Sequence, residues 1–264
     1  MVDSKSTGDN ISVEYAKGFS IKQYDGYKLL TVKDPWPKAD KNFTYLLAED
    51  EASIPSEVKY DHKVTIPVKK IVVTSTTHIP SIEILNEEES LVGFPGLDYI
   101  SSEKTRALIS EGLVTELGQN ESINTEILIS LNPDLVIGFA IDGNNKTFNT
   151  IQKVGIPVIY NGDWTEESPL GKAEWIKFFG AFYNKDDQAS AKFNEIRDSY
   201  LSLKELAKNA KSKLLFSVAL CIKINGMCLM ATLGKLNLLR MPMQIIFMRT
   251  PKVPVVSPYP LKVF

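Results

Sequence analysis

Four short apolar runs, rich in β-branched residues, recur between residues 71 and 160, with stretches of helical spacing between them. They are Ile71-Val72-Val73-Thr74, Leu91-Val92-Gly93-Phe94, Leu135-Val136-Ile137-Gly138 and Ile156-Pro157-Val158-Ile159-Tyr160. A short run that is apolar on both faces suits a strand buried on both sides, as in a parallel sheet. The intervening segments carry helix punctuation. Pro80 can open a helix in which Ile79, Ile82 and Leu85 share a face. Ser101 to Gly112 reads as a helix closed by glycine. Asn124 caps a helix through Leu131 with Pro133 beyond it, and Lys146 to Val154 is helical. Strands separated by helices of this size predict βαβ units with right-handed crossovers, an α/β fold with a parallel sheet.

The flanking segments differ in kind. Residues 1–10 read as a disordered lead-in and 11–68 as a β-rich extension. Its runs, such as Ile11-Ser12-Val13, Tyr27 to Val32 and Phe43 to Leu47, are punctuated by Asp25-Gly26 and by Pro35 and Pro37. The first α/β lobe spans 69–167. Connecting helices fill 168–210: one starts at Ser168-Pro169 and runs to about Phe182, and one runs from about 186 to 208. In the second, Ala189, Phe193, Ile196, Tyr200 and Leu203 recur at spacings that keep one face apolar. Leu214 to Val218 reads as one more strand, and residues 211–264 as a remnant or aberrant second lobe.

Charge sharpens that last boundary. The formal net charge is -2, yet all 32 Asp and Glu lie at or before Glu205, alongside 21 of the 30 Lys and Arg. That part carries -11. The 59 residues after it carry nine bases and no acid, +9, together with both cysteines (Cys221 and Cys228) and every methionine but Met1. Such a tail is what a reading-frame error or a truncation would leave, with an authentic divergent tail as the alternative. The C-x6-C spacing matches no common zinc or redox motif, and the two cysteines read as unpaired thiols. The polar start lacks the n- and h-regions of a signal peptide, and no window approaches the roughly 18 apolar residues of a membrane helix. No G-x-S-x-G, P-loop, G-x-G-x-x-G or H-E-x-x-H motif is present.

Residues 69–85 (KKIVVTSTTHIPSIEIL), 91–102 (LVGFPGLDYISS), 122–139 (SINTEILISLNPDLVIGF) and 154–160 (VGIPVIY) resemble the substrate-binding proteins of iron–siderophore and cobalamin-type ABC importers, the class with a long helix between two α/β lobes. The third block is the most specific, with Asn-x-Glu at a helix start followed by Leu-x-Pro-Asp-Leu-Val. The segment 162–189 continues the likeness into the spine helix, and the β-rich extension resembles one found in some iron-type members. The resemblance covers about residues 69 to 216 and departs near Val218, where the family continues through a complete second lobe. It implies a monomer that binds a ferric siderophore or similar chelate, without enzymatic activity or cofactor, and the net acidity of the matched region argues against a nucleic-acid partner. It also implies delivery of that chelate to a membrane permease, from the periplasm or the outer face of the cell membrane. An α/β hydrolase using the 75–78 loop is the competing reading, and a non-functional fragment of the binding protein a third.

In open α/β sheets, ligands bind outside the carboxyl ends of the strands. Here those ends are Ser75–His78, Pro95–Ser102, Ala140–Asn144 and Asn161–Glu167. Thr76 and Thr77 offer hydroxyls that can meet a ligand or cap the next helix. His78 can contact ligand or serve a buried hydrogen bond. Tyr99 stands beside a flexible Gly96, Phe139 ends the third block, and Trp164 is either an aromatic plate for a chelate or core. Lys104 and Arg106, which could meet an anionic chelate, read as solvated helix residues. The resemblance places Glu126 where the family docks an acid into the permease, with the helix dipole as the alternative reason for an acid there. With only His62 and His78 in the chain, a bare metal ion is a poor cargo, and no metal site or catalytic residue is expected.

Overall fold

The computed structural model describes residues 8–39, 41–50, 54–120, 122–140 and 145–208, and the backbone of 222–224, 227–233 and 243–247. The chain divides into two compact units, Met1–Ser199 and Tyr200–Phe264. In the first, β1 (Asp9–Ile11), β2 (Phe19–Tyr24), β3 (Tyr27–Val32), β4 (Phe43–Ala48) and β5 (His62–Thr65) form one sheet in that order. Neighbours are antiparallel except β4 and β5, which run parallel. β1 therefore begins inside the stretch read as a disordered lead-in, because Asp9 to Ile11 find partners in Ile21 to Gln23. β2 alternates Phe19 and Ile21 against Ser20 and Lys22, whereas β5 carries too little alternation to be read from sequence.

The second sheet is the predicted one. β6 (Ile71–Val73) is followed by α1 (Ile79–Ile84), β7 (Leu91–Phe94), α2 (Glu103–Ser110) and β8 (Thr115–Glu116). A small ribbon of β9 (Gly118–Gln119) and β10 (Ser122–Ile123) leads to α3 (Thr125–Leu131), β11 (Leu135–Gly138), α4 (Lys146–Lys153) and β12 (Val158–Tyr160). The strand order is β12-β11-β6-β7-β8, parallel throughout. β7 goes to one side of β6 and β11 to the other, so the order reverses between β6 and β11. That is where open α/β sheets leave a crevice. The predicted caps are present. Asn124 Oδ1 accepts from Ile127 N at 3.1 Å, and Ser168 Oγ accepts from Gly171 N at 2.9 Å.

The segment after the sheet departs from expectation in one respect. It forms two helices, α5 (Pro169–Glu174) and α6 (Ile176–Phe182), broken at Trp175. Every residue of α6 is buried, as befits a helix without a polar face. α7 (Asp186–Lys208) has the predicted bounds. One apolar core joins Phe19, Leu30, Tyr45 and Val64 of the first sheet to Ile71, Val73, Leu135 and Ile159 of the second and to Phe178, Phe179 and Phe182 of α6. Tyr45 Oη accepts from Tyr160 N at 2.9 Å, tying β4 to the end of β12. The β-rich extension is thus continuous with the core of the lobe.

Two buried carboxylates hold the strap between β1 and β2 against this core. Glu174 accepts from the backbone N–H of Glu14 (3.0 Å), Tyr15 (2.6 Å) and Ala16 (2.8 Å), and from Lys177 Nζ (2.8 Å). Glu166 accepts from Lys17 N (2.8 Å), Gly18 N (2.9 Å) and Trp175 Nε1 (3.2 Å).

In the second unit, β13 (Ile222–Ile224), β14 (Met227–Leu233) and β15 (Met243–Phe247) pair as an antiparallel sheet. The strand expected at 214–218, Cys221 and the side chain of Cys228 lie outside the described residues.

Candidate functional site

A cavity of about 820 Å³ opens at the carboxyl end of the parallel sheet. Thr74, Ser75 and Thr76 line it from the loop after β6, and Phe139 from the loop after β11, one on each side of the reversal point. The loop after β7 contributes Gly96, Asp98 and Tyr99, and the β9 ribbon contributes Gly118, Gln119 and Asn120. Tyr99 is 81% exposed, a ring presented to solvent at the rim.

One side chain sets two walls of this cavity. Glu116, at the end of β8, accepts through Oε1 from Gly96 N (2.8 Å) and Gly118 N (2.9 Å), and through Oε2 from Leu97 N (2.8 Å). Burial would raise its pKa, but these backbone donors outweigh it and hold the carboxyl below the usual 4.5. Gly96 is therefore held in place, contrary to the flexibility expected of it. Its φ is +81°, which favours glycine, and a Cβ there would stand 2.8 Å from Tyr99 Cδ2, so that exposed ring would have to shift. Sequence reasoning passed over Glu116, Gln119 and Asn120 because the segment after Leu113 carries no periodicity.

The remaining candidates separate. Thr77 and Trp164 face a second pocket of about 360 Å³, lined also by Ile84, Asp163, Lys172 and Ile176. Neither threonine caps α1, whose N-cap is His78 without a side-chain bond. Trp164 is 39% exposed and so stands outside the core. Lys172 Nζ donates to the carbonyls of Trp164 (3.2 Å) and Asp163 (3.4 Å), fixing that turn. Arg106 Nη1 donates to Leu97 O (3.0 Å), and Lys104 pairs with Glu88 (3.2 Å). Glu126 is exposed in the first turn of α3, apart from both pockets.

His78 lines neither pocket. It is fully buried, with its ring 5.6 Å from that of Phe179. Its ring follows the buried face of α1 inward. Among the described residues neither ring nitrogen makes a hydrogen bond of good geometry, nor does Nδ2 of the buried Asn161 beside it. Burial pushes its pKa down to about 4 despite the opposing influence of Asp163 and Asn161. Ser75 Oγ pairs with Thr77 Oγ1 at 2.9 Å, so the 75–78 loop holds no hydroxyl–imidazole pair.

The depressed pKa has a sign. Between about 6.5 and about 4 the unfolded chain takes up a proton at this residue and the folded chain does not, so this part of the stability falls as pH falls. His78→Leu is expected to flatten the stability profile in that window and to cost little at pH 8, since it removes two unsatisfied nitrogens. Denaturant titrations at pH 4.5, 6 and 8 measure it. A slope retained in the variant would contradict the assignment.

Among the described residues, no group of three or more His, Cys, Asp or Glu converges as metal ligands would. Residues 71–221 match the sequence profile of the periplasmic binding proteins, more than half of the chain. The chain belongs to the periplasmic binding protein family. Among relatives of this periplasmic binding protein, an uncharacterized lipoprotein of Methanocaldococcus jannaschii is 26% identical over 176 residues, covering 62% of this chain and 42% of the relative. A second uncharacterized protein of the same organism is 31% identical over 138 residues, 49% of this chain and 40% of its own length. The chain thus spans less than half the length of these relatives. Among solved structures, the petrobactin-binding protein YclQ of Bacillus subtilis superposes with a TM-score of 0.51 at 17% identity, covering 78% of this chain and 61% of that one. That likeness shows a shared fold. The parallel-sheet lobe with its β-rich extension is therefore the expected α/β architecture.

Proposed function

We propose that this periplasmic binding protein takes up a metal chelate, a ferric siderophore or a related iron or cobalamin-type complex, in the cavity at the carboxyl end of its parallel sheet. The observation that carries this reading is the cavity itself. Hydroxyls of Ser75 and Thr76, amides of Gln119 and Asn120, and the rings of Tyr99 and Phe139 line one cavity that extends from the point where the strand order reverses toward the β8 edge. Such a set recognises an organic framework around a metal, with aromatic faces against apolar chelate and amides and hydroxyls meeting its carbonyls. Binding is non-covalent and needs no cofactor. The petrobactin-binding function of a protein that shares the fold, and a relative that is a lipoprotein, support a place in chelate import at the outer face of the cell membrane. Glu126, exposed on α3, is then the acid that would dock on an ABC permease, and the protein would act as a monomer without nucleic acid.

Titration of the full chain with ferric trihydroxamate and tricatecholate chelates, followed by tryptophan fluorescence, tests the proposal. Saturable quenching is expected with at least one of them. Tyr99→Ala is expected to weaken it by about tenfold, because an exposed ring contributes on the order of 1–1.5 kcal/mol of stacking. Absence of saturation with every chelate would sink the reading.

A further inference from the structure

The charge of the cavity rim narrows the ligand class beyond the family reading, on which this inference rests. The strand-end loops that line the large cavity on this side, Ser75–His78 and Pro95–Ser102, contain no Lys or Arg and one acid, Asp98. Among the described residues lining the large cavity, Asp98 is the one Asp, Glu, Lys or Arg, and it is exposed. The cations that follow the 95–102 loop are committed elsewhere, Lys104 to Glu88 at 3.2 Å. Arg106 holds the Leu97 carbonyl without lining the cavity, and Lys172 belongs to the second pocket.

A second, independent observation concerns backbone donors. The N–H groups of Gly96, Leu97 and Gly118 converge at the cavity wall. Convergent backbone N–H groups form a concavity for anions. Here the chain fills it itself, with the Glu116 carboxylate at 2.8–2.9 Å from all three. The place where a wall of this kind would take a ligand's negative charge is already occupied by one. We propose that this wall selects a metal chelate of zero or positive net charge, of the trihydroxamate type, and rejects polyanionic chelates, with Asp98 as the specificity-determining side chain. Asp98 stands in the ligand's path, whereas Glu116 acts through the backbone as a positioning residue.

The test uses the full chain with two ferric probes, monocationic ferrioxamine B and a trianionic ferric tricatecholate, titrated at low and high salt. The cation is expected to bind about tenfold more tightly at low salt, with the ratio shrinking at 1 M salt, where charge interactions are screened beyond about 3 Å. Asp98→Asn is expected to strengthen binding of the trianion about threefold while leaving the unfolding midpoint unchanged, since the side chain is exposed. A trianion that binds as well as or better than the cation overturns charge selection and leaves chelate binding standing. A ratio insensitive to salt and to Asp98→Asn overturns it too. Failure of both probes to bind overturns the proposed function, and this inference with it.

Discussion

Glu174→Ala is expected to lower the unfolding free energy by about 3–5 kcal/mol, the range for breaking a buried charge pair from one side. Glu174 is fully buried. Its removal strands the N–H groups of Glu14, Tyr15 and Ala16 and leaves Lys177 Nζ with the Ser12 carbonyl at 2.7 Å as its remaining hydrogen-bond acceptor. Unmade bonds of buried groups cost the full desolvation of each group. Urea denaturation reads the loss directly, and a change below about 1 kcal/mol would mean that the strap is not held as described. Adding Lys177→Met should recover part of the loss, because the orphaned ammonium is removed.

The same carboxyl predicts an acid limb. Burial raises its pKa, but the Lys177 bond and the backbone N–H groups of Ala16, Glu14 and Tyr15 outweigh that and depress it below 4.5. A depressed carboxyl contributes stability that is present above its unfolded pKa and is lost as pH falls through the folded value. Wild type should therefore lose stability on acidification below about 4.5. Glu174→Ala should lack that component. The window lies mostly below that of His78, so the two variants flatten different parts of one curve.

The second large effect is expected at Trp175. Trp175→Ala should cost about 3–5 kcal/mol, as for other buried aromatic truncations. The indole is 1% exposed and its ring centroid lies 4.7 Å from Phe19 and 5.1 Å from Phe178, between the β-rich sheet and α6. A Cβ on Gly18 would stand 2.8 Å from Cζ2, so the strap is also fitted to this ring. Trp175→Phe should cost less, since it keeps most of the packing and leaves Glu166 its two backbone donors. Glu174→Ala and Trp175→Ala touch one strap, so their effects should sum to more than the double variant shows. Strict additivity in a double-mutant cycle would separate the two anchors.

Local chemistry made much of this fold legible beforehand. The β-branched runs at 71–73, 91–94, 135–138 and 158–160 are strands because each is apolar on both faces, and the structure covers both faces. Asn124 and Ser168 were readable as caps because a cap bonds three residues ahead. Position at the strand ends was likewise enough to gather Thr76, Tyr99 and Phe139 around one cavity. The same rule put His78 there too, but its ring lines neither pocket. One loop residue further on, the first turn of α1 carries the ring into the core beside Phe179. The helix expected over 168–182 failed in part, since nothing periodic announces the break at Trp175.

The sequence by itself therefore determined the α/β class, the strand and helix order of the lobe, and strand-end loops that line its large cavity. These follow from periodicity and capping, which act within a few residues. Only the tertiary structure decided that the β-rich residues share the lobe's core, that Glu174 and Glu166 clasp a strap about 150–160 residues away, and that Glu116 fills the anion nest of its own cavity. Those are contacts between a carboxylate and distant backbone N–H groups. Any acid can make them, so no residue pattern advertises them until the chain has folded and brought the two together.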